Sequence, residues 1–258
     1  MNPIHDETDA PFRAFPNLNK ASLECVTRSR VRLWEFADQH LPEDTFDTRI
    51  IRALAQTRVI GPKEALESFE FYTRVKRRMR APSMADLCCG HGLVGLLFGA
   101  MERSVERVTL MDVRRTEGSK AILDAVISVA PWLEPKLTWI ECESEEMVNH
   151  LEPGTSITGV HACGKLTDRC LDIARDIGGP VAVMPCCYGP NQTRGPEVLK
   201  RMLDPWVVTD VDRTYRLESY GFKVDWQFIP KLITPRNRII LGLPRGRSAT
   251  ENTEEHGG

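Results

Sequence analysis

From residue 84 onward the chain alternates short apolar runs with segments of helical spacing, and this alternation restricts the possible folds more than any other feature. The runs are MADLCC (84–89), RVTLMDV (107–113), LTWIEC (137–142), SITGVHAC (156–163) and PVAVMPCC (180–187). Between them lie GLVGLLFGAMER, EGSKAILDAVISVA and LTDRCLDIARDIG, each with an apolar face at helical spacing. Strands separated by whole helices do not pair as hairpins. They build a mostly parallel, doubly wound sheet with helices on its faces. FKVDWQFI (222–229) and RIILGLP (238–244) follow with a short loop between them, which predicts a closing hairpin. The expected fold class is α/β and Rossmann-like.

Around this unit, 81–245, three other regions are expected. Residues 1–20 are polar and Pro-rich, which predicts loose order. Residues 21–80 form a helical extension, read from RVRLWEFADQHL, DTRIIRALAQTRVI and GPKEALESFEFYTRVKRRMR, with Pro62 at a helix start and Pro82 beyond its end. Residues 246–258 are polar and expected to be disordered. The first twenty residues have no apolar run of signal-peptide type, and no stretch approaches the roughly 18 apolar residues of a membrane helix. A cytoplasmic location is expected. In that setting the eight cysteines are thiols or ligands rather than a disulfide framework, and the spacing CxxC does not occur.

In a sheet of this kind ligands bind outside the carboxyl ends of the strands. The first run ends Asp86-Leu87-Cys88-Cys89-Gly90-His91-Gly92, and Gly95 completes a literal GxGxxG. The second ends in Asp112-Val113, where a carboxylate can accept both hydroxyls of a ribose. Asp86 separates the two cofactors this pattern allows. A carboxylate four residues before the first glycine can meet an ammonium group, which S-adenosylmethionine carries and NAD does not. Expected cofactor contacts are Asp86, Cys88, Gly90, His91, Gly92, Asp112 and Val113, with Glu143 and Ser144 near an adenine and His161 near the transferred methyl.

The fourth and fifth runs end His161-Ala162-Cys163-Gly164-Lys165 and Pro185-Cys186-Cys187-Tyr188, side by side in a doubly wound sheet. His161, Cys163, Lys165, Asp168, Cys186, Cys187 and Tyr188 are therefore the candidate catalytic residues. Three chemistries are open. The cysteines line a dry pocket while His161, Lys165 or Asp168 deprotonates a polar acceptor. Alternatively, Cys186 or Cys187 is a covalent nucleophile, its thiolate favoured by Lys165 or Arg194. In the third, His161, Cys163, Cys186 and Cys187 bind a metal such as zinc. Adjacent residues on an extended chain point opposite ways, so Cys186 and Cys187 are not expected to share an ion, and no metal is expected.

These motifs, D-x-C-C-G-H-G, V-H-A-C-G-x-L-T-D, P-C-C-Y-G, D-V-D-R and G-F-K-V with T-P-R-N-R-I-I-L-G-L-P, resemble one branch of the class I S-adenosylmethionine-dependent methyltransferases. That branch includes the methyltransferase-like domain of the glutathione S-transferase C-terminal domain-containing protein and, more distantly, the eukaryotic tRNA acceptor-stem 2′-O-methyltransferases. The resemblance spans residues 81–245. It implies a seven-stranded sheet with its last strand antiparallel, S-adenosylmethionine as cofactor, and Asp86, Gly90, Gly92 and Asp112 as contacts.

The net charge of −2 implies no general affinity for nucleic acid, so a basic surface has to be local. Arg74, Lys76, Arg77, Arg78 and Arg80 supply one, with Arg30, Arg32 and Arg52 in the same helical region. RNA is the leading expected acceptor. A solvated helix end explains the same run equally well, since cations suit a helix C-terminus. A small molecule or protein side chain is the next acceptor class. Asp204-Pro205-Trp206 is read as a turn.

Overall fold

The computed structural model describes residues 9–21, 23, 31–188 and 195–245. Seven strands form one sheet: β1 (Ser83–Leu87), β2 (Arg107–Asp112), β3 (Leu137–Glu141), β4 (Ser156–Val160), β5 (Val181–Met184), β6 (Phe222–Phe228) and β7 (Arg238–Pro244). Their order is β3-β2-β1-β4-β5-β7-β6. Strands β1 to β5 are mutually parallel, β7 runs antiparallel to β5, and β6 pairs antiparallel with β7. The hairpin expected at 222–244 is present, with Phe222 opposite Pro244 and Phe228 opposite Arg238. The sheet turns back on itself beside β1, whose neighbours are β2 and β4, so a crevice forms at the carboxyl ends of β1 and β4.

Helices α1 (Leu33–His40), α2 (Phe46–Thr57) and α3 (Pro62–Val75) precede the sheet, and α4 (Leu93–Met101), α5 (Glu117–Val129) and α6 (Lys165–Ile177) connect its parallel strands. Helix α4 is buried from Leu93 through Ala100, as its uniformly apolar sequence requires. It approaches the sheet closely at Gly95, where a Cβ would stand 2.5 Å from Leu110 Cδ2 and 3.0 Å from Asp86 Cβ. The third glycine of GxGxxG thus serves helix-on-sheet packing.

Two expectations are corrected. Residues 9–20 are anchored rather than loose: Phe12, Phe15 and Leu18 are buried, and the Phe15 ring lies 5.2 Å from that of Phe69 on α3. The backbone N–H groups of Arg13 and Ala14 both donate to Glu70 Oε1 at 2.8 Å. Each buried apolar side chain contributes about 1.5–3 kcal/mol, enough to order a short segment. Asp204-Pro205-Trp206 is no isolated turn. Asp204 Oδ1 accepts from Trp206 N at 2.8 Å and caps α8 (Pro205–Ser219), which follows the short α7 (Glu197–Met202). The expectations for residues 1–8, Cys25, Arg30, Arg194 and 246–258 lie outside the described residues. Among the described residues no helix is long and apolar enough to cross a membrane.

Candidate active site

Both strands beside the crevice end in left-handed backbone. Cys88 (φ 52°), Gly90 (57°) and Gly92 (74°) turn the chain after β1, and His161 (60°) turns it after β4. For the two non-glycine residues this costs about 1–2 kcal/mol each, which the surrounding packing must hold. The strands therefore end two or three residues before the apolar runs do. A cavity of about 250 Å3 opens there. It is bounded by Asp86 near the end of β1, Gly90 and His91 after that strand, His161 after β4, and Glu64 and Ser68 of α3.

Asp86 is almost fully buried. Its Oδ2 accepts from Gly95 N at 3.0 Å and its Oδ1 from Thr158 Oγ1 at 2.9 Å. Burial pushes its pKa up to about 7, and those two donors only partly oppose the shift. Asp112, at the end of β2, accepts from Gly90 N and Val113 N, both at 2.8 Å, so its carboxylate holds the glycine turn. A Cβ on Gly90 would meet nothing within 4 Å: the space above this turn is open. His91 Nδ1 accepts from Leu93 N at 3.3 Å, and burial lowers its pKa. Glu143 is exposed, and Ser144 Oγ bonds Glu145 Oε2 at 2.9 Å.

Helix α3 supplies a residue that the sequence reading did not single out. Glu67 is fully buried, and its Oε2 meets His161 Nε2 at 2.7 Å and Lys63 Nζ at 3.0 Å. Its Oε1 is buried with no hydrogen-bond partner among the described residues. A buried carboxylate oxygen without a donor is costly, by roughly 1–3 kcal/mol. With Nε2 turned to the carboxylate, Nδ1 is the His161 nitrogen left to take a proton. The missed signal is in the sequence: ALESFEF places Glu67 and Glu70 inside an otherwise buried stretch.

The cysteines overturn an expectation. Cys163 and Cys186 Sγ lie 3.1 Å apart, Cys186 and Cys187 Sγ 3.5 Å apart, and all three sulfurs lie within 4.8 Å of one another. The argument that Cys186 and Cys187 must point opposite ways fails because β5 ends at Met184, so pleat alternation does not apply to them. The seven described cysteines are all free. Burial raises the pKa of Cys163 and of Cys186, while hydrogen bonds from Cys186 and Cys163, aided by Arg236 and Lys63, lower that of Cys187.

Two other candidate catalysts are bound into a charged network. Asp168 Oδ1 accepts from Arg213 Nε at 3.1 Å and Arg216 Nη1 at 2.9 Å. The Tyr188 hydroxyl donates to Asp210 at 2.7 Å, and burial with Asp210 beside it raises its pKa. Asp210 also receives Arg213 Nη1 at 3.1 Å and Arg238 Nη1 at 2.5 Å, and both Asp210 and Arg213 are buried. Neither Asp168 nor Tyr188 lines the crevice cavity. Lys165 opens α6, exposed. Tyr188 instead stacks with Trp206 (centroids 6.0 Å apart) beside a second cavity of about 160 Å3, where the Arg236 guanidinium lies 3.7 Å from the centre of the Trp206 ring.

The basic run 74–80 divides: Arg77, Arg78 and Arg80 are exposed, Lys76 is half-buried and Arg74 is buried. Arg74 is buried, pairs with Glu70 at 3.1 Å and donates to Pro11 O at 2.6 Å. Arg78 pairs with Asp225 at 2.6 Å, Arg80 with Glu102 at 3.2 Å, and Lys76 Nζ sits over the Tyr72 ring.

No protein-family model and no curated protein matches the chain. Solved structures do. An O-methyltransferase from Bacillus cereus in complex with SAH aligns at 13% identity over 82% of this chain and 96% of its own, with a TM-score of 0.50. A putative O-methyltransferase from Klebsiella pneumoniae aligns at 9% identity over 81% and 94%, TM-score 0.48. A fibrillarin pre-rRNA processing protein from Methanococcus jannaschii aligns at 16% over 65% and 68%, TM-score 0.43. The first of these likenesses, together with the strand order, establishes that the chain has the Rossmann-like fold of class I methyltransferases.

Proposed function

We propose that this chain is an S-adenosylmethionine-dependent methyltransferase. One observation carries the reading: the crevice at the ends of β1 and β4 joins a glycine turn with open space above it to a half-buried His161 backed by the buried Glu67 carboxylate. The residues suit the cofactor. Asp86 borders the cavity and each of its oxygens keeps a free acceptor direction for an ammonium. Asp112 stands at the end of the neighbouring strand, where a ribose diol would replace backbone donors. S-adenosylmethionine, when bound, supplies a methyl on a sulfonium that leaves without acid assistance. The protein's work is then positioning and proton removal. His161 Nδ1 takes the proton from an O–H, N–H or S–H acceptor, and Glu67 stabilises the ring that results.

RNA is the acceptor class we favour, on the second cavity rather than on the basic run. The Tyr188–Trp206 stack with Arg236 above it, and Lys231 and Arg238 alongside, suits a planar base joined to phosphate. The test is transfer of labelled methyl from S-adenosylmethionine into a cell extract lacking the protein, separated into RNA, protein and small-molecule fractions. Label in RNA supports the full reading. Label in another fraction removes RNA and keeps the methyltransferase. Absence of both label and SAH binding refutes the proposal.

A further inference from the structure

We propose that Cys163, Cys186 and Cys187 form a zinc site of three thiolates between the two cavities. The geometry is close to what an ion requires. Zinc–sulfur bonds of about 2.3 Å in tetrahedral array set sulfurs about 3.8 Å apart. Here two pairs stand at 3.1 and 3.5 Å, and the third lies within 4.8 Å. Shifts of about 1 Å or less bring all three to coordination distance. Such shifts are available, because the ligands sit on backbone that has left the sheet: Cys163 just before α6 and Cys186–Cys187 beyond β5.

The ligand chemistry selects the ion. Three sulfurs without a carboxylate disfavour magnesium and calcium and suit zinc. As the ion binds, each S–H bond breaks, its electron pair forms the bond to zinc, and three protons pass to solvent. The site then carries one net negative charge. Arg236 is in place to balance it. Its Nη1 donates to the Cys186 carbonyl, and its charge, with that of Lys63, acts on Cys187.

No fourth histidine, cysteine or carboxylate among the described residues joins the three sulfurs. His161, the other ligand that the sequence suggested, turns its Nε2 to Glu67. Zinc held by three protein ligands keeps a position for water or substrate, the arrangement of catalytic rather than structural sites. The position of the cluster fits that use. Cys163 lies two residues beyond His161, which lines the crevice, and the other two thiols lie between Pro185 and Tyr188, which line the second cavity. The site itself does not depend on methyl transfer.

The full chain, purified under reducing conditions without chelator, is expected to hold about one zinc per chain by elemental analysis. Cobalt exchanged into it should give sulfur-to-cobalt charge-transfer bands. Cys163→Ser and Cys187→Ser should each lower zinc about tenfold or more, whereas Cys142→Ala, at a thiol outside the cluster, should leave it unchanged. Calorimetric SAH binding, measured on every variant, reports folding and the cofactor site separately. SAH binding without zinc and without cobalt bands overturns the metal site while the methyltransferase reading survives. Zinc retained in both serine variants overturns it as well, as does a Cys163–Cys186 disulfide in the reduced preparation.

Discussion

Asp86 places a carboxylate in the core beneath the glycine turn, and Asp86→Asn isolates what its charge costs. In the wild type, burial holds the pKa near 7 against 3.8 for an unburied aspartate. The folded value lies above the unfolded one, so the folded protein binds the proton more tightly. Its stability therefore falls as pH rises from about 4 through about 7. The full loss is about 4 kcal/mol, and about 2 kcal/mol of it falls between about pH 5.5 and about pH 8. Asparagine removes this dependence and keeps the packing. Its amide oxygen can accept from Gly95 N. Its amide nitrogen faces Thr158 Oγ1, which can accept from it while donating to Ala85 O, already 3.3 Å away. Urea unfolding of wild type and variant without ligand at the two pH values gives the difference directly, because every other titrating group cancels. The variant should lack about 2 kcal/mol of the wild-type loss. The same variant should bind SAH about 10–100-fold more weakly, since a charge-assisted contact to the ammonium is gone. Equal pH dependence in the two proteins refutes the burial argument, and unchanged SAH affinity refutes the ammonium assignment.

Other substitutions test the remaining parts. Asp112→Ala should weaken SAH binding about 100-fold by calorimetry, through loss of the ribose acceptor; wild-type affinity would sink that role. Glu67→Gln keeps a hydrogen bond to His161 but removes the charge that favours the protonated ring, so methyl-transfer kcat should fall about 100-fold with SAH affinity changed less than about threefold. A matching loss of SAH affinity would instead assign Glu67 to cofactor binding. Asp210→Ala leaves Arg213 and Arg238 without their shared buried partner and should destabilise the fold by about 3–5 kcal/mol in denaturant titration. A change below about 1 kcal/mol would mean that the network is solvated.

The strands and the glycine turn were legible because their signals are local. An apolar run of fixed length and a turn needing positive φ are properties of neighbouring residues, and β7 begins and ends where RIILGLP does. What the sequence obscured lies where distant residues neutralise one another. Helix α8 went unread because its buried side includes Asp210 and Arg213, charges tolerable inside only as a pair. In the basic run 74–80, nothing in the local sequence announces that Asp225 pairs with Arg78 and Glu102 with Arg80. Glu67 went unread because its partner His161 is 94 residues away. The thiol cluster was misjudged for a related reason. The apolar runs continue past the true ends of β4 and β5, so the alternation of a pleat was extended to residues on irregular backbone. The last two share a location. At the carboxyl edge of the sheet the chain leaves regular structure, and His161 sits there in a backbone region few histidines adopt. That edge is where side chains from β1, β4, β5 and α3 converge. Local pattern therefore identified the edge, and only the three-dimensional arrangement assigned Glu67 to His161 and brought three sulfurs together.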